Sequence, residues 1–199
     1  MHWPASISAA LAVAIGAVVP ALAADPRLPL RTDVRDVSLS KRTFLDLYVT
    51  AREAAAALAS YPDMVLVDLR PAPVVAASGA TAVGGAVQVP LLVAKAQAGP
   101  TTGDPVMEVD PRFAEKIKAV LQARRLGADA TILMLCSAGI QSSRAADLLA
   151  EIGYNNVYVI IDGYDGNFDA EHSLGGKGWR NEELTVVPSP AARTAGDRQ

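Results

Sequence analysis

The chain has 199 residues, 51% of them hydrophobic and 20% charged, which is enough apolar material for one folded domain with extensions and too much for a wholly disordered chain. Its 18 basic and 21 acidic side chains leave a net charge of −3, without the basic footprint that a phosphate backbone demands, so no nucleic-acid partner is expected. With one cysteine, Cys136, and two histidines, His2 and His172, the chain cannot close an internal disulfide and lacks the ligands of a Cys/His zinc site. Neither a metal nor a cofactor is expected.

Ile7 to Val19 is an apolar run broken only by Ser8, and Pro20-Ala21-Leu22-Ala23 follows with small residues at the two positions a signal peptidase reads. Residues 1–23 therefore read as a signal peptide cleaved after Ala23. The mature chain would be periplasmic or secreted, with no stable membrane association once processed. The alternative is an uncleaved membrane anchor, because Ala5 to Ala24 has about the 20 residues a spanning helix needs, but its Ala and Gly content makes it weakly apolar. Residues 24–42, with Pro26 and Pro29 among scattered charges, read as a linker. Residues 43–185 then form one domain, and 186–199 a loose tail.

Within the domain, Thr43 to Val49 is β-rich, and Thr50-Ala51-Arg52-Glu53 forms a capping box ahead of an alanine-rich helix ending near Ser60. Met64 to Val67 is a buried-type strand leading into Asp68-Leu69-Arg70, closed by Pro71 and Pro73. Ala86 to Leu92 is a further apolar stretch near the sheet. Ala94 to Asp110 reads as an irregular excursion, and Pro111 opens a helix to about Leu126 with Phe113, Ile117, Val120 and Leu121 on one stripe. Thr131 to Leu135 is a strand apolar on both faces, followed by a tight loop from Cys136 to Ser143 and a helix to Ile152. Val157 to Ile161 is the last strand, and Asp162 to Gly166 is a turn. This alternation predicts an α/β fold with a mostly parallel central sheet covered by helices on both faces.

Ligands of open α/β sheets sit beyond the carboxyl ends of the strands, where loops lead into helix N-termini. Cys136 occupies such a place. Unpaired N–H groups and the helix dipole there stabilise a thiolate or an anionic sulfur adduct, by up to about 2 kcal/mol. The small residues Ser137, Ala138 and Gly139 let the loop curl its amides inward, and Ser142 or Ser143 is expected to cap the helix. The competing reading of Cys136 is a small buried hydrophobe at a strand end.

Thr131 to Phe168 resembles the second half of a rhodanese domain: an apolar strand, the Cys-x-x-Gly-x-x-Ser loop, Arg144-Ala145-Ala146-x-x-Leu149, Gly153-Tyr154, Asn156-Val157-Tyr158 and Asp162-Gly163-Tyr164. Val65 to Arg70 resembles the family's strand ending in Asp-x-Arg, and Gly85 to Pro90 its Gly-Ala-x-x-x-Pro segment. Tyr48-Val49-Thr50-x-Glu53-Ala54 and Lys177 to Asn181 look like an exported bacterial single-domain branch. The resemblance implies sulfur transfer. Cys136 would take a sulfane sulfur from a small donor such as thiosulfate, hold it as a persulfide and pass it to cyanide or a thiol. Ser137, Ala138, Gly139, Ile140, Gln141 and Ser142 would turn backbone N–H groups to the transferred sulfur. Arg70 and Arg144 are the nearby cations for an anionic substrate, Arg70 more as a structural partner of its loops and Arg144 at the pocket rim or in solvent.

Active members of that family often carry Arg at the positions of Ser137 and Gln141, and often a His near Ala82; all three are absent here. The second reading is therefore a rhodanese scaffold with weak or no turnover, acting as a sulfur-binding, sensing or protein-interaction module. A phosphatase would need Arg at position 142, which is Ser. Asp165, Asn167 and Asp169 imitate a calcium loop, but Ala170 and Gly176 replace its Gly and closing Glu. His172 reads as a loop residue and Trp179 as a core plug. An exported thiolate is readily oxidised, so a reducing partner protein is implied as well.

Overall fold

Thr50 and Glu53 start the first helix by exchanging bonds: the Thr50 hydroxyl accepts from the Glu53 amide at 3.2 Å, and the Glu53 carboxylate accepts from the Thr50 amide at 2.8 Å. The computed structural model describes residues 32–81, 86–98, 105–166, 178–182, 184 and 186–187. The expected signal peptide, most of the expected tail, His172, Asn167 and Asp169 lie outside them. In chain order the elements are β1 (Tyr48–Val49), α1 (Ala51–Ser60), β2 (Val65–Asp68), α2 (Ala72–Ser78), β3 (Ala80–Thr81) and β4 (Val87–Gln88). Then follow β5 (Leu92–Ala98), β6 (Pro105–Val109), α3 (Phe113–Ala123), β7 (Ile132–Leu135), α4 (Ile140–Ala150), β8 (Val157–Ile160) and β9 (Val186–Val187).

The main sheet has the order β1-β8-β7-β2-β4, and every pairing in it is parallel. Its three central strands are buried along their whole length, and successive side chains go to opposite faces. Val65, Val67, Ile132, Met134, Val157 and Val159 pack with Phe113, Ile117 and Leu121 of α3 and with Ala145, Ala146 and Leu149 of α4. Leu66, Leu133, Leu135, Tyr158 and Ile160 pack on the other side with Ala51, Ala54 and Ala57 of α1 and with Trp179, which is fully buried as a core plug. The protein is thus α/β, with helices on both faces of a parallel sheet.

Several elements differ from expectation. The strand anticipated from Thr43 shrinks to Tyr48–Val49, because the chain turns at Asp46 with φ +49. Pro71 and Pro73 do more than close β2: Pro71 has no donor to lose at the head of a helix, and α2 follows at once. Most of the described part of 94–110 is strand: β5 and β6 pair antiparallel, with Leu92 opposite Val109, and Lys95 forms an ion pair with Glu108. Residues 34–41, assigned to a linker on sequence, form two short 3-10 turns, Val34–Asp36 and Leu39–Lys41. They carry Val37 and Lys41 into the interior, at 1% and 4% exposure.

Asp162, in the turn after β8, ties three segments together. Its carboxylate accepts from the amide of Ala51, the first residue of α1, at 2.7 Å and from Gly178 at 3.3 Å, and its own carbonyl accepts from Gly166. Burial pushes the Asp162 carboxyl above its usual range, opposed by the backbone N–H groups it accepts from. The folded state therefore holds this proton more tightly than the unfolded chain, a gain below the ordinary carboxyl range that is lost as pH rises through the raised titration. Asp162→Asn should flatten that acid limb of the stability curve, while costing about 1 kcal/mol at neutral pH for the bond lost to Gly178. Urea unfolding followed across the acid range checks both.

Candidate active site

Strand β7 is the middle strand of the main sheet, and Cys136 is the first residue beyond it. Bends at 137–139 lead into α4, whose N-cap is Gly139 at φ +92, ψ −24. That left-handed backbone aims the Gly139 amide at Cys136, and the N–H donates to Sγ at 3.1 Å. A side chain is excluded there, because a Cβ on Gly139 would lie 2.5 Å from the Ile161 carbonyl oxygen. The first-turn amides of α4 have no helical acceptor and carry the positive end of the helix dipole. Cys136 itself is 2% exposed and packs within the apolar cluster on the α3 and α4 face.

The turn after β8 supports the loop from behind. Tyr164 donates its amide to the Cys136 carbonyl at 2.8 Å, and Asp165 to the Ser137 carbonyl at 2.9 Å. Gly163, at φ +61, permits this contact: a Cβ there would lie within 2.7 Å of the Cys136 and Ser137 carbonyl oxygens and the Ala138 amide. A trans peptide points its N–H opposite to its C=O. With both carbonyls turned to the 163–165 turn, the amides of Ser137 and Ala138 are directed away from it.

The predicted loop residues are brought together around this bend, though not alike. Ser137, Ala138 and Gln141 are half-buried, Gly139 is buried, and Ile140 is exposed. Ser142 is fully buried, and its hydroxyl lacks a hydrogen-bond partner among the described residues. Neither Ser142 nor Ser143 caps α4, as the sequence suggested; the helix begins at Ile140, so both serines lie inside its first turn. Ser143 instead donates its hydroxyl to the Lys41 carbonyl at 2.7 Å and lies 3.2 Å from the Gly139 carbonyl. Arg144 is exposed and lines a groove of about 370 Å³ with Arg42, Phe44, Ile140 and Asp147.

Arg70 is 1% exposed and its fork is spent on the protein. It donates to Asp68 Oδ1 at 2.9 Å and Oδ2 at 2.6 Å, to the Ser78 hydroxyl at 2.9 Å and to the Gly79 carbonyl at 3.1 Å. Its guanidinium also stacks 3.5 Å above the centre of the Tyr164 ring, a desolvated cation–π contact. Arg70 therefore reaches the cysteine loop through Tyr164. Two contributors escaped the sequence: Lys41, which falls in the expected linker, and the backing role of Gly163, for which the Asp-Gly-Tyr run was the available signal.

Two substitutions test this frame. Gly139→Ala places a methyl group against the Ile161 carbonyl and strains a positive φ, so it should cost about 2 kcal/mol or more and slow alkylation of Cys136 by iodoacetamide beyond what the stability loss explains. Arg70→Met leaves the Asp68 carboxylate buried without its partner and should lower unfolding free energy by roughly 3 to 5 kcal/mol, read from urea denaturation.

A family model for the rhodanese-like domain matches residues 50–168. The uncharacterized protein RP600 of Rickettsia prowazekii is 31% identical over 78 residues, which is 39% of this chain and 56% of that one. The chain thus spans about half the length of the curated relatives it matches. Among solved structures, Rv0390 from M. tuberculosis matches with a TM-score of 0.50 and 26% identity, covering 70% of this chain and 96% of the other. The polysulfide-sulfur transferase homodimer from Wolinella succinogenes gives a TM-score of 0.46 at 15% identity, with 71% and 77% covered. With more than half of its residues matched by one family model and a parallel α/β sheet that presents a cysteine loop, the chain belongs to the rhodanese-like domain family.

Proposed function

We propose that the protein is a sulfurtransferase that carries a sulfane sulfur on Cys136. The observation behind this reading is the Gly139 amide, held 3.1 Å from Sγ at the head of α4 by a backbone that admits no side chain. A donor at that point is suited to sulfur that bears charge, because hydrogen bonds to an anion are shorter and about twice as strong as neutral ones.

In the proposed cycle the Cys136 thiolate attacks the outer sulfur of thiosulfate, the S–S bond of the donor breaks, and sulfite leaves with the bonding pair. The persulfide keeps one negative charge on its terminal sulfur, facing the loop amides. Cyanide or a thiolate then attacks that outer sulfur and releases the Cys136 thiolate. The protein contributes preorganised dipoles rather than acid or base groups. Ser137 and Gln141 stand where a guanidinium would grip a dianionic donor. Each lost charge-assisted contact weakens thiosulfate binding by one to two orders of magnitude at about 1.5 to 3 kcal/mol per contact.

The second reading, a scaffold with little turnover that binds or senses sulfur, is favoured by the same two residues and by the near-complete burial of Cys136. Export through residues 1–23 and a reducing protein partner belong to the proposal too, because an exported thiolate is readily oxidised and has to be returned to its reduced form.

Intact mass after incubation with thiosulfate decides between the readings. The wild-type protein should gain the mass of one sulfur atom and lose it on addition of cyanide, and Cys136→Ala should gain none. A wild-type mass unchanged by thiosulfate and by polysulfide alike would sink the transfer reading.

A further inference from the structure

Lys41 is a lysine buried to 4% exposure that the proposed cycle does not use. It lies at the end of the second 3-10 turn, before the region matched by the family model, and it reaches the cysteine loop from two sides. Its ammonium donates to the Ile161 carbonyl at 3.0 Å, the same oxygen that would lie 2.5 Å from a Cβ on Gly139. Its carbonyl accepts from the Ser143 hydroxyl at 2.7 Å, and that hydroxyl is 3.2 Å from the Gly139 carbonyl. Gly139 is thereby bracketed, with Ile161 against its Cα and Ser143 at its carbonyl, and one residue holds both brackets.

Burying an ammonium and ordering its long stem are costly unless the position demands them. The Ile161 carbonyl follows β8, where its companion amide already donates to Val49, so the ammonium is not needed to complete the sheet. We infer that Lys41 is a positioning residue for the cysteine loop: it fixes Ile161 and Ser143 on either side of Gly139 and so keeps the Gly139 amide aimed at Cys136 Sγ. The inference rests on the reading of that amide as the donor to anionic sulfur. Nearby charged groups among the described residues have contacts or exposure of their own. Arg42 donates to the Val37 carbonyl, and Asp147 accepts from the Phe44 amide. Arg144 is exposed on α4, Asp162 is held by the Ala51 and Gly178 amides, and Asp68 is paired with Arg70.

The test compares wild-type protein with Lys41→Met and Ser143→Ala, following iodoacetamide alkylation of Cys136 against pH together with thermal unfolding. Lys41→Met keeps the stem and removes the ammonium. Its alkylation profile should move to higher pH by about one unit, a tenfold lower rate at a fixed pH below the plateau, as expected for one lost hydrogen bond to an anion. Ser143→Ala should shift the profile in the same direction and by less. A lowered melting temperature with an unmoved profile would make Lys41 merely structural and overturn the inference. Should Lys41→Met fail to fold, an unmoved profile in Ser143→Ala overturns it equally. Alkylation needs no sulfur donor, so the two readings fail separately: a wild type that takes up no sulfur defeats transfer, while a shifted profile still upholds the role of Lys41.

Discussion

The amides of Tyr164 and Asp165 take the carbonyls of Cys136 and Ser137 at 2.8 and 2.9 Å, and from this pairing the cysteine loop acquires its direction. A peptide that gives its oxygen to the turn after β8 sends its N–H to the opposite side. Two glycines make the approach possible, Gly163 under the loop and Gly139 at its end, each with a positive φ and with backbone atoms where a Cβ would be. The loop is therefore shaped by contact between main chains, which is stiffer than any arrangement of long side chains.

Around that contact the protein concentrates its buried polar groups. Asp162 joins the head of α1 to Gly178, Arg70 joins Asp68 to Ser78 and Gly79, and the Tyr164 ring lies under the guanidinium. Such groups are expensive singly and stabilising only as satisfied networks. Their gathering at the carboxyl end of the sheet, where β2, β7 and β8 all finish, matches the place at which open α/β sheets present their chemistry. At the opposite ends of the same strands the Asn156 side chain donates to the Asp129 carbonyl.

How much of this was legible varies with the kind of signal. Ile132 to Leu135 and Val157 to Ile160 are short unbroken apolar runs, which declare strands buried on both faces, and the Thr50–Glu53 box marked a helix start. Cys136 stands out as a candidate because it lies between such a strand and a helix, and the structure keeps it between β7 and α4. The start of α4 was misplaced by a few residues because serines at 142 and 143 advertise caps, whereas the backbone turns at Gly139 through conformation and not through side-chain bonding. The β5 and β6 hairpin was hidden by alanine, glycine and proline, and α2 by prolines that are breakers inside a helix but tolerated at its head. Lys41 had no local mark at all. Its bonds to Ile161 and Ser143 reach more than 100 positions along the chain, and no spacing rule reaches that far.

The outermost strands of the main sheet, β1 and β4, are two residues long. On β1 the outward Tyr48 carbonyl is already taken by the Thr32 amide, and a backbone rim that brief offers a passing polypeptide almost nothing to zip onto. Colonising this sheet from its flanks is correspondingly hard, and the strand that leads into Cys136, two places from one rim and two from the other, is insulated from the kind of lateral recruitment that starts fibres.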